Sequence, residues 1–339
     1  MRKKIIPLIM AAGCAGILGG CSGLGGNTTE TLQETDTTSV DTAGSDKENI
    51  KIVTTIFPEY DWVKEITGGG EGTDITLLCD NGTDMHSYQP SVEDVIKISE
   101  SDVFIYVGGE SDEWVENALK DIHSDVTVIN LFDVLGENVK EEELTEGMQA
   151  DEKETGEEET EYDEHVWLSL SNAKIFCREI ADALSGVNKE KADTYSKNAE
   201  SYIEKLTTLD DNYRQAVGSD DTKTIVFGDR FPFRYLTDDY GIDVFAAFPG
   251  CSAETEASFE TITFLSGKVD ELGLKSIMTI DGSDKRIAET IRDNTKDKDQ
   301  KILTLDSMQA VTEGDLGAGK TYLSSMESNL EVLKEALKK

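Results

Sequence analysis

Short apolar strands alternate with amphipathic helical segments along most of the chain. From Lys51 onward, runs of six or seven mainly apolar, β-branched residues are each followed by a stretch with the spacing of an amphipathic helix. The first half of this pattern predicts the strands KIVTTIF, DITLLC, DVFIYVG and VTVINL. The second half predicts the strands KTIVFG, IDVFAAF, KSIMTID and KILTLD. Apolar strands that alternate with helices are typical of parallel sheets covered on both faces, so the predicted fold class is α/β.

The alternation stops between the two groups of strands. Residues 141–164 contain thirteen Asp or Glu against one Lys, which indicates a solvated, mobile loop. A stretch without Pro or Gly then runs from about Lys189 to Val217 and predicts one helix of roughly 40 Å. We therefore expect two lobes, each with a four-stranded parallel sheet, joined by a long rigid α-helix. The predicted boundaries are 49–187 for the N-terminal lobe with its acidic loop 137–164, 188–218 for the linking helix and 219–339 for the C-terminal lobe.

The N-terminus has the pattern of an export signal. A basic segment, residues 2–4, precedes the apolar run 5–18, which is too short for a membrane-spanning helix. The letters LGGC that follow resemble a bacterial lipoprotein box, and this resemblance implies removal of residues 1–20 and attachment of lipid to Cys21. Cys14 is the weaker position, because cleavage there would halve the apolar run. An ordinary cleaved signal and a secreted protein are the alternative.

The charge balance excludes several partners. The net charge is −37, so the protein would repel the phosphates of nucleic acid and would not dock electrostatically on anionic lipid. Segment 21–48 has few apolar side chains and is expected to be a disordered tether between a lipid anchor and an extracytoplasmic folded part. The number and spacing of the remaining cysteines, Cys79, Cys177 and Cys251, fit neither a disulfide framework nor a zinc knuckle. Cys177 is expected in the core.

Histidine is rare in this chain, with three in 339 residues. His86 comes just after the strand DITLLC, and His165 ends the acidic run, whereas His123 is interpreted as an ordinary surface residue. In the second lobe, the polar side chains at strand ends are Asp229, Arg230 and Asp281. Ligands of open α/β sheets bind beyond the carboxyl ends of the strands, so these groups are expected to converge on a cleft. Imidazoles with a carboxylate suit zinc, manganese or iron.

Several segments resemble one known family. TTIFPEYDWVKEITG, GTDMHSYQPSVEDV, DVFIYVGGESDEWV and DEHVWLSLSNA resemble the metal-binding lipoproteins of cluster A-I ABC importers, the zinc and manganese uptake group. IVFGDRFPFRYLTDDYGI, AAFPGCSAETEASFETI and KRIAETI continue the resemblance, which covers about residues 50–338. It implies two α/β lobes bridged by a rigid helix, with one transition-metal ion between them. It also implies delivery of the ion to a membrane permease driven by a cytoplasmic ATPase. The protein is expected to be a monomer and not an enzyme.

The resemblance also implies a set of ligands. By position, His86 and His165 match the two ligands of the first lobe, and Asp281 matches the carboxylate of the second lobe. The remaining family ligand, His or Glu, falls on Arg230, which cannot coordinate a metal but could pair with Asp281. Either the ion has three protein ligands and a water, or a neighbour substitutes, the neighbours being Asp229 and Cys251. Cys251 could also be only a packed turn residue. Zn²⁺ is the expected ion, with Mn²⁺ or Fe²⁺ as alternatives.

Three other classes of function remain open from the residues alone. A metal-dependent enzyme would use the same ligand types, although the chain contains no HExxH, GxSxG or P-loop motif. A receptor for an organic or chelated solute would bind a carboxylate through Arg230. An adhesin would use its outer surface and not the cleft. The acidic loop lacks the histidines that zinc receptors of this family often carry there, so it could collect metal or be only a solvated loop.

Overall fold

Two parallel sheets organise this computed structural model, which describes residues 49–120, 125–149, 161–218, 223–252 and 256–338. The predicted signal, the tether and His123 lie outside the described residues. The first sheet has the spatial order β2-β1-β3-β4, with β1 Ile50–Thr54, β2 Thr73–Leu77, β3 Val103–Tyr106 and β4 Thr127–Asn130. The second has the order β6-β5-β7-β8, with β5 Thr224–Phe231, β6 Asp243–Pro249, β7 Ser276–Ile280 and β8 Lys301–Leu305. All neighbouring strands are parallel, which confirms the predicted fold class.

Helices cover both sheets. Those before the second sheet are α1 Phe57–Thr67, α2 Val92–Ser99, α3 Glu113–Lys120, α4 Leu131–Leu135, α5 Leu170–Val187 and α6 Ala192–Val217. Those that follow are α7 Arg234–Tyr240, α8 Phe259–Leu272, α9 Arg286–Asn294, α10 Glu313–Gly317 and α11 Tyr322–Ala336. Among the residues described, no helix is both long and apolar enough to cross a membrane.

The long helix α6 ties the two sheets together. Its 26 residues extend about 39 Å at the usual rise. A buried stripe recurs every three or four residues, as expected for one face of an amphipathic helix, and consists of Tyr195, Ala199, Tyr202, Leu206, Leu209 and Tyr213. This face packs against α1 and α5 on one side and against α7 and α11 on the other. Because Tyr213 also donates to the Met326 carbonyl at 2.6 Å, α6 and α11 are joined by a buried hydrogen bond as well as by packing.

The hydrophobic core is continuous between the two sheets. Strand residues such as Ile52 and Phe227 and helix residues such as Trp62 belong to the same buried cluster. Cys177 on α5 is fully buried in that cluster, which confirms its predicted place in the core. A shared core of this kind fixes the two sheets relative to each other, so side chains at their carboxyl ends meet in a defined geometry.

The acidic segment is only partly the solvated loop that its composition predicts. At its start, Gln149 N donates to the Ala247 carbonyl of β6 at 2.9 Å. At its end, Asp163 and Glu164 are each only 2% exposed. The expectation of a solvated loop is therefore wrong at both ends of this segment, because backbone and carboxylate groups there find hydrogen-bond partners inside the protein. Residues 150–160 lie outside the described residues.

Candidate metal centre

His86 is placed by the chain that follows β2. It lies in a short 3-10 turn, Met85–Ser87, and its backbone N donates to Asp84 Oδ1 at 3.0 Å. The imidazole Nδ1 lies 2.8 Å from Ser111 Oγ and 3.1 Å from Glu164 Oε2. These contacts hold one ring nitrogen against the first lobe, so the other nitrogen, Nε2, is directed at His165.

His165 is fully buried and comes directly before a 3-10 turn, Val166–Leu168, that leads into α5. Its backbone N and its Nδ1 both lie against Asp163 Oδ1, at 2.9 and 3.0 Å. Because an ionised carboxylate can only accept hydrogen bonds, Nδ1 carries the proton and Nε2 keeps its lone pair. That Nε2 lies 3.1 Å from His86 Nε2 and 3.0 Å from Gln309 Nε2. Gln309 follows β8, so residues from both halves of the chain surround His165.

The two imidazoles have the geometry of a pair of metal ligands. Tetrahedral zinc with bonds of about 2.0–2.1 Å to nitrogen would separate two nitrogen ligands by about 3.3 Å. The observed separation of His86 Nε2 and His165 Nε2 is 3.1 Å. Each ring also has its other nitrogen against a carboxylate, Glu164 for His86 and Asp163 for His165. Carboxylates in this position fix the ring and make it a better donor to a metal.

Buried negative charge surrounds the pair. Burial alone would raise the pKa of Glu164, but hydrogen bonds from His86 and Ser111 outweigh it and hold the pKa below its ordinary value. Ser111 donates to both carboxylate oxygens, at 2.7 and 2.5 Å. A side chain at Gly109, whose φ is +86°, would overlap this carboxylate, so glycine is required there. In the described part of the chain, only imidazoles form ion pairs with Asp163 and Glu164, an arrangement that favours a bound cation.

Cys251 is the third potential ligand in this group. It follows β6, and its Sγ, one ring nitrogen of His86 and one ring nitrogen of His165 all lie within 4.8 Å of one another. Burial and the nearby negative charges of Asp163 and Glu164 raise the pKa of the thiol well above its ordinary value. A cavity of about 240 Å³ opens beside the group, and its walls include His86, Cys251, Glu110, Glu142, Glu161 and Glu164.

Arg230 is paired with a first-lobe carboxylate. Its Nη2 lies 2.9 Å from Asp84 Oδ2, and both side chains are mostly buried, at 22% and 24% exposed. The alternative that Arg230 pairs with Asp281 is therefore wrong for this structure. Since Asp84 uses its other oxygen to accept from His86 N, the ion pair links β5 of the second sheet to the turn that carries a histidine of the pair.

The two second-lobe aspartates, Asp229 and Asp281, line a separate cavity of about 510 Å³ together with Asp84 and Arg230. Asp229 accepts from Arg230 N at 2.9 Å and from Thr279 Oγ1 at 2.7 Å. Asp281 accepts from the backbone N and the hydroxyl of Ser307 at 2.6 and 2.8 Å. Neither aspartate belongs to the group of ligand atoms formed by the two histidines and the cysteine. The role of Asp281 as a metal ligand stays a prediction.

Four residues of this site were not predicted from the sequence. Asp163, Glu164, Ser111 and Gln309 contact the two histidines directly. Asp163 and Glu164 do carry a signal, because they precede His165 within two residues, but the acidic run around them concealed it. Gln309 carries no local signal, since only the tertiary fold brings the loop after β8 to His165.

Two α/β lobes with a shared core and a buried polar site at their strand ends define a two-lobed solute-binding protein. The chain belongs to the family described as "ZnuA: Zinc-uptake complex component A periplasmic", whose model matches residues 52–336. This match confirms the family that the sequence motifs resemble.

Individual relatives agree with this family. The "Zinc-binding lipoprotein AdcA" of Streptococcus pneumoniae strain R6 is 32% identical over 290 residues, which is 84% of this chain. The chain spans 55% of the length of that relative. The crystal structure of the Zn(II)-bound ZnuA-like domain of pneumococcal AdcA is 30% identical, with a TM-score of 0.67 over 86% of this chain and all of that one. The laminin-binding protein Lmb of Streptococcus agalactiae, described as bifunctional with adhesin and metal transporting activity, is 27% identical, with a TM-score of 0.67 over 86% of this chain and 100% of that one.

Proposed function

We propose that this protein is the zinc receptor of an ABC importer. It binds one Zn²⁺ between its lobes through His86 and His165 and passes the ion to a membrane permease driven by a cytoplasmic ATPase. One observation carries the proposal: the Nε2 atoms of a partly buried imidazole, His86, and a fully buried one, His165, lie 3.1 Å apart while the opposite nitrogen of each ring contacts a carboxylate. This arrangement supports a metal site because the carboxylates hold both rings with their lone pairs facing one point.

Zinc is the ion that the donor set favours. Two imidazole nitrogens at the 3.1 Å separation seen here suit zinc, whereas Mn²⁺ is better served by carboxylate, carbonyl and water oxygens. The names of the pneumococcal relative and of its zinc-bound domain agree with this choice. Mn²⁺ and Fe²⁺ are the competing ions, and they should bind more weakly than Zn²⁺.

The receptor works outside the cytoplasm as a monomer, in this proposal. Its signal is removed, and lipid on Cys21 anchors it to the bacterial cell membrane through the tether 21–48. The word lipoprotein in the name of the pneumococcal relative supports the anchor. Metabolic labelling with a radioactive fatty acid tests it, because label should enter the wild type and be lost in Cys21→Ala.

Zinc titration of the metal-stripped protein tests the central proposal. Isothermal calorimetry and elemental analysis should give one zinc per chain, and zinc should raise the melting temperature because it binds only the folded state. His86→Ala and His165→Ala should abolish tight binding, whereas His123→Ala, which removes the remaining histidine, should not. If either cleft variant keeps the affinity and the thermal shift of the wild type, the histidine pair is not the zinc site.

The other classes of function receive less support. A carboxylate solute would need the Arg230 guanidinium, whose Nη2 already pairs with Asp84. We also propose that the protein is not an enzyme, and incubation of the zinc-loaded form with ester, peptide and phosphoester substrates should show no turnover. The likeness to Lmb makes adhesion a second candidate function. Adhesion through the outer surface would leave binding of the purified protein to immobilised laminin intact in His86→Ala.

A further inference from the structure

The ligand set of the histidine pair is completed from the second half of the chain. Resting on the proposed function, we infer that Cys251 is the third protein ligand, so that the ion is held by two imidazole nitrogens and one thiolate. The Cys251 sulfur and the two histidine nitrogens lie within 4.8 Å of one another. As the S–Zn bond forms, the thiol proton leaves to the solvent, and no oxidant or reductant is involved.

The other second-lobe candidates lie outside the group of ligand atoms that the two histidines and Cys251 form. Arg230 cannot coordinate a metal and is paired with Asp84. Both oxygens of Asp229 accept hydrogen bonds, from Arg230 N and Thr279 Oγ1. Asp281 is held by two hydrogen bonds from Ser307 on the same oxygen. Cys251 is thus the second-lobe donor whose sulfur already lies in the group with the histidines.

The backbone around Cys251 is adapted to this close approach. A Cβ atom on Gly250 would lie 3.0 Å from His165 Cε1 and from the Phe231 carbonyl oxygen, so the absence of a side chain at Gly250 lets the end of β6 pack closely against the imidazole. Cys251 N donates to Glu142 Oε1 at 3.3 Å, which ties the turn to the acidic segment. The sulfur is therefore presented by a constrained turn.

A separate observation also indicates a ligand at this point. Gln309 is 3% exposed, and its Nε2 lies 3.0 Å from His165 Nε2, the nitrogen that would bind the metal. Its Oε1 is buried and has no hydrogen-bond partner among the described residues. Leaving such a group unpaired is costly. A water molecule on the fourth coordination position of the ion would satisfy this oxygen and complete a tetrahedron.

A thiolate ligand changes the selectivity of the site. Soft sulfur favours Zn²⁺ strongly over Mn²⁺ and Fe²⁺, which prefer oxygen donors. Loss of the sulfur should therefore weaken zinc binding far more than manganese binding. The expected loss of zinc affinity is about 100-fold or more, because removal of an outer-shell partner alone typically costs about 10–100-fold.

Cobalt spectroscopy of the purified protein tests the assignment. Co²⁺ bound to the wild type should give a sulfur-to-cobalt charge-transfer band in the near ultraviolet. Cys251→Ser should lose the band and about 100-fold or more in zinc affinity. Cys79→Ala, which removes a buried first-lobe cysteine, should keep both. Zinc should also protect Cys251 of the wild type from iodoacetamide, as read by peptide mass spectrometry, a measurement that does not depend on how well a variant folds.

The outcomes separate this inference from the proposed function. Tight zinc binding without a charge-transfer band, or unchanged zinc affinity in Cys251→Ser, would overturn the thiolate assignment and leave the zinc receptor in place. A loss of affinity in Asp281→Ala that exceeds the loss in Cys251→Ser would assign the third position to the carboxylate. A wild type that binds neither zinc nor cobalt would overturn both.

Discussion

The ion pair between Arg230 and Asp84 should stabilise the fold measurably even when no metal is present. The two charged atoms lie 2.9 Å apart, and the side chains are 22% and 24% exposed. Exposed pairs contribute about 0.2–1 kcal/mol, and breaking a fully buried pair costs about 3–5 kcal/mol. An intermediate burial with a short contact gives a coupling energy of about 1–2 kcal/mol.

A double-mutant cycle isolates that energy. Arg230→Met keeps most of the aliphatic stem, and Asp84→Asn keeps an oxygen that can accept from His86 N. Each single variant should lower the melting temperature by roughly 2–4 °C for each kcal/mol lost, and the double variant should lose less than the sum of the two. The assay is urea unfolding of the metal-stripped protein at low and high salt, and the coupling should shrink at high salt because the pair is partly exposed.

The pH dependence of the coupling gives a second check. Burial alone would raise the pKa of Asp84, but the charge of His86 and the hydrogen bond and charge of Arg230 outweigh it and lower the pKa below its ordinary value of 3.8. A carboxylate with a lowered pKa contributes its stability above the pKa of the unfolded chain and loses it as the pH falls through the folded value. The coupling should therefore be intact at pH 5 and disappear in stronger acid. A coupling energy below about 0.3 kcal/mol at low salt and pH 7 would refute the reasoning.

Three further changes test other parts of the structure. Glu164→Gln should weaken zinc binding by about 10–100-fold, as measured by competition with a fluorescent chelator. Gly250→Ala should lower the free energy of unfolding by about 1–3 kcal/mol and weaken zinc binding. Gly267→Ala is the control, because no atom lies within 4 Å of a Cβ atom built there, and it should leave the free energy of unfolding unchanged. Equal stability of the two variants would contradict the packing argument. Burial and the charge of Asp112 raise the pKa of Glu59 from 4.5 to about 8, so the wild type should lose roughly 3–5 kcal/mol as the pH rises between these values. Glu59→Gln should flatten that slope in urea unfolding.

Much of the fold could be predicted because each element carries its own pattern. The strand KIVTTIF and its neighbours are apolar runs of the right length, and α6 has a buried stripe with helical spacing over 26 residues. Such local periodicity reports burial directly. The acidic segment is different, because its composition predicts the exposure of its average residue and does not show which single residues are buried. The high charge density of the segment predicts that Asp163 and Glu164 are exposed to solvent. Both are buried instead, because each has an imidazole partner.

The candidate site residues were selected for a different reason. His86 and His165 could be selected because histidine is rare here and both lie in segments that resemble the family. Gln309 could not, because its contact with His165 joins residues 144 positions apart and depends on how the two sheets pack. The partner of Arg230 could not be predicted either. Asp84 and Asp281 both line the cavity that Arg230 faces, and only the three-dimensional structure distinguishes them.

Arg230 occupies the position where the sequence resemblance implies a His or Glu ligand, and this need not weaken the site if the two roles of such a ligand are divided. A second-lobe metal ligand both donates electrons to the ion and bridges the lobes. Here Arg230 and Asp84 form a bridge that needs no ion, and in our proposal the electron donor is Cys251, which follows the neighbouring strand β6. Binding free energy is then not needed to hold the lobes together. The binding free energy instead arises within the site. A divalent cation would neutralise the two buried carboxylates that contact the imidazoles, and its bound water would donate a hydrogen bond to the unpaired amide oxygen of Gln309.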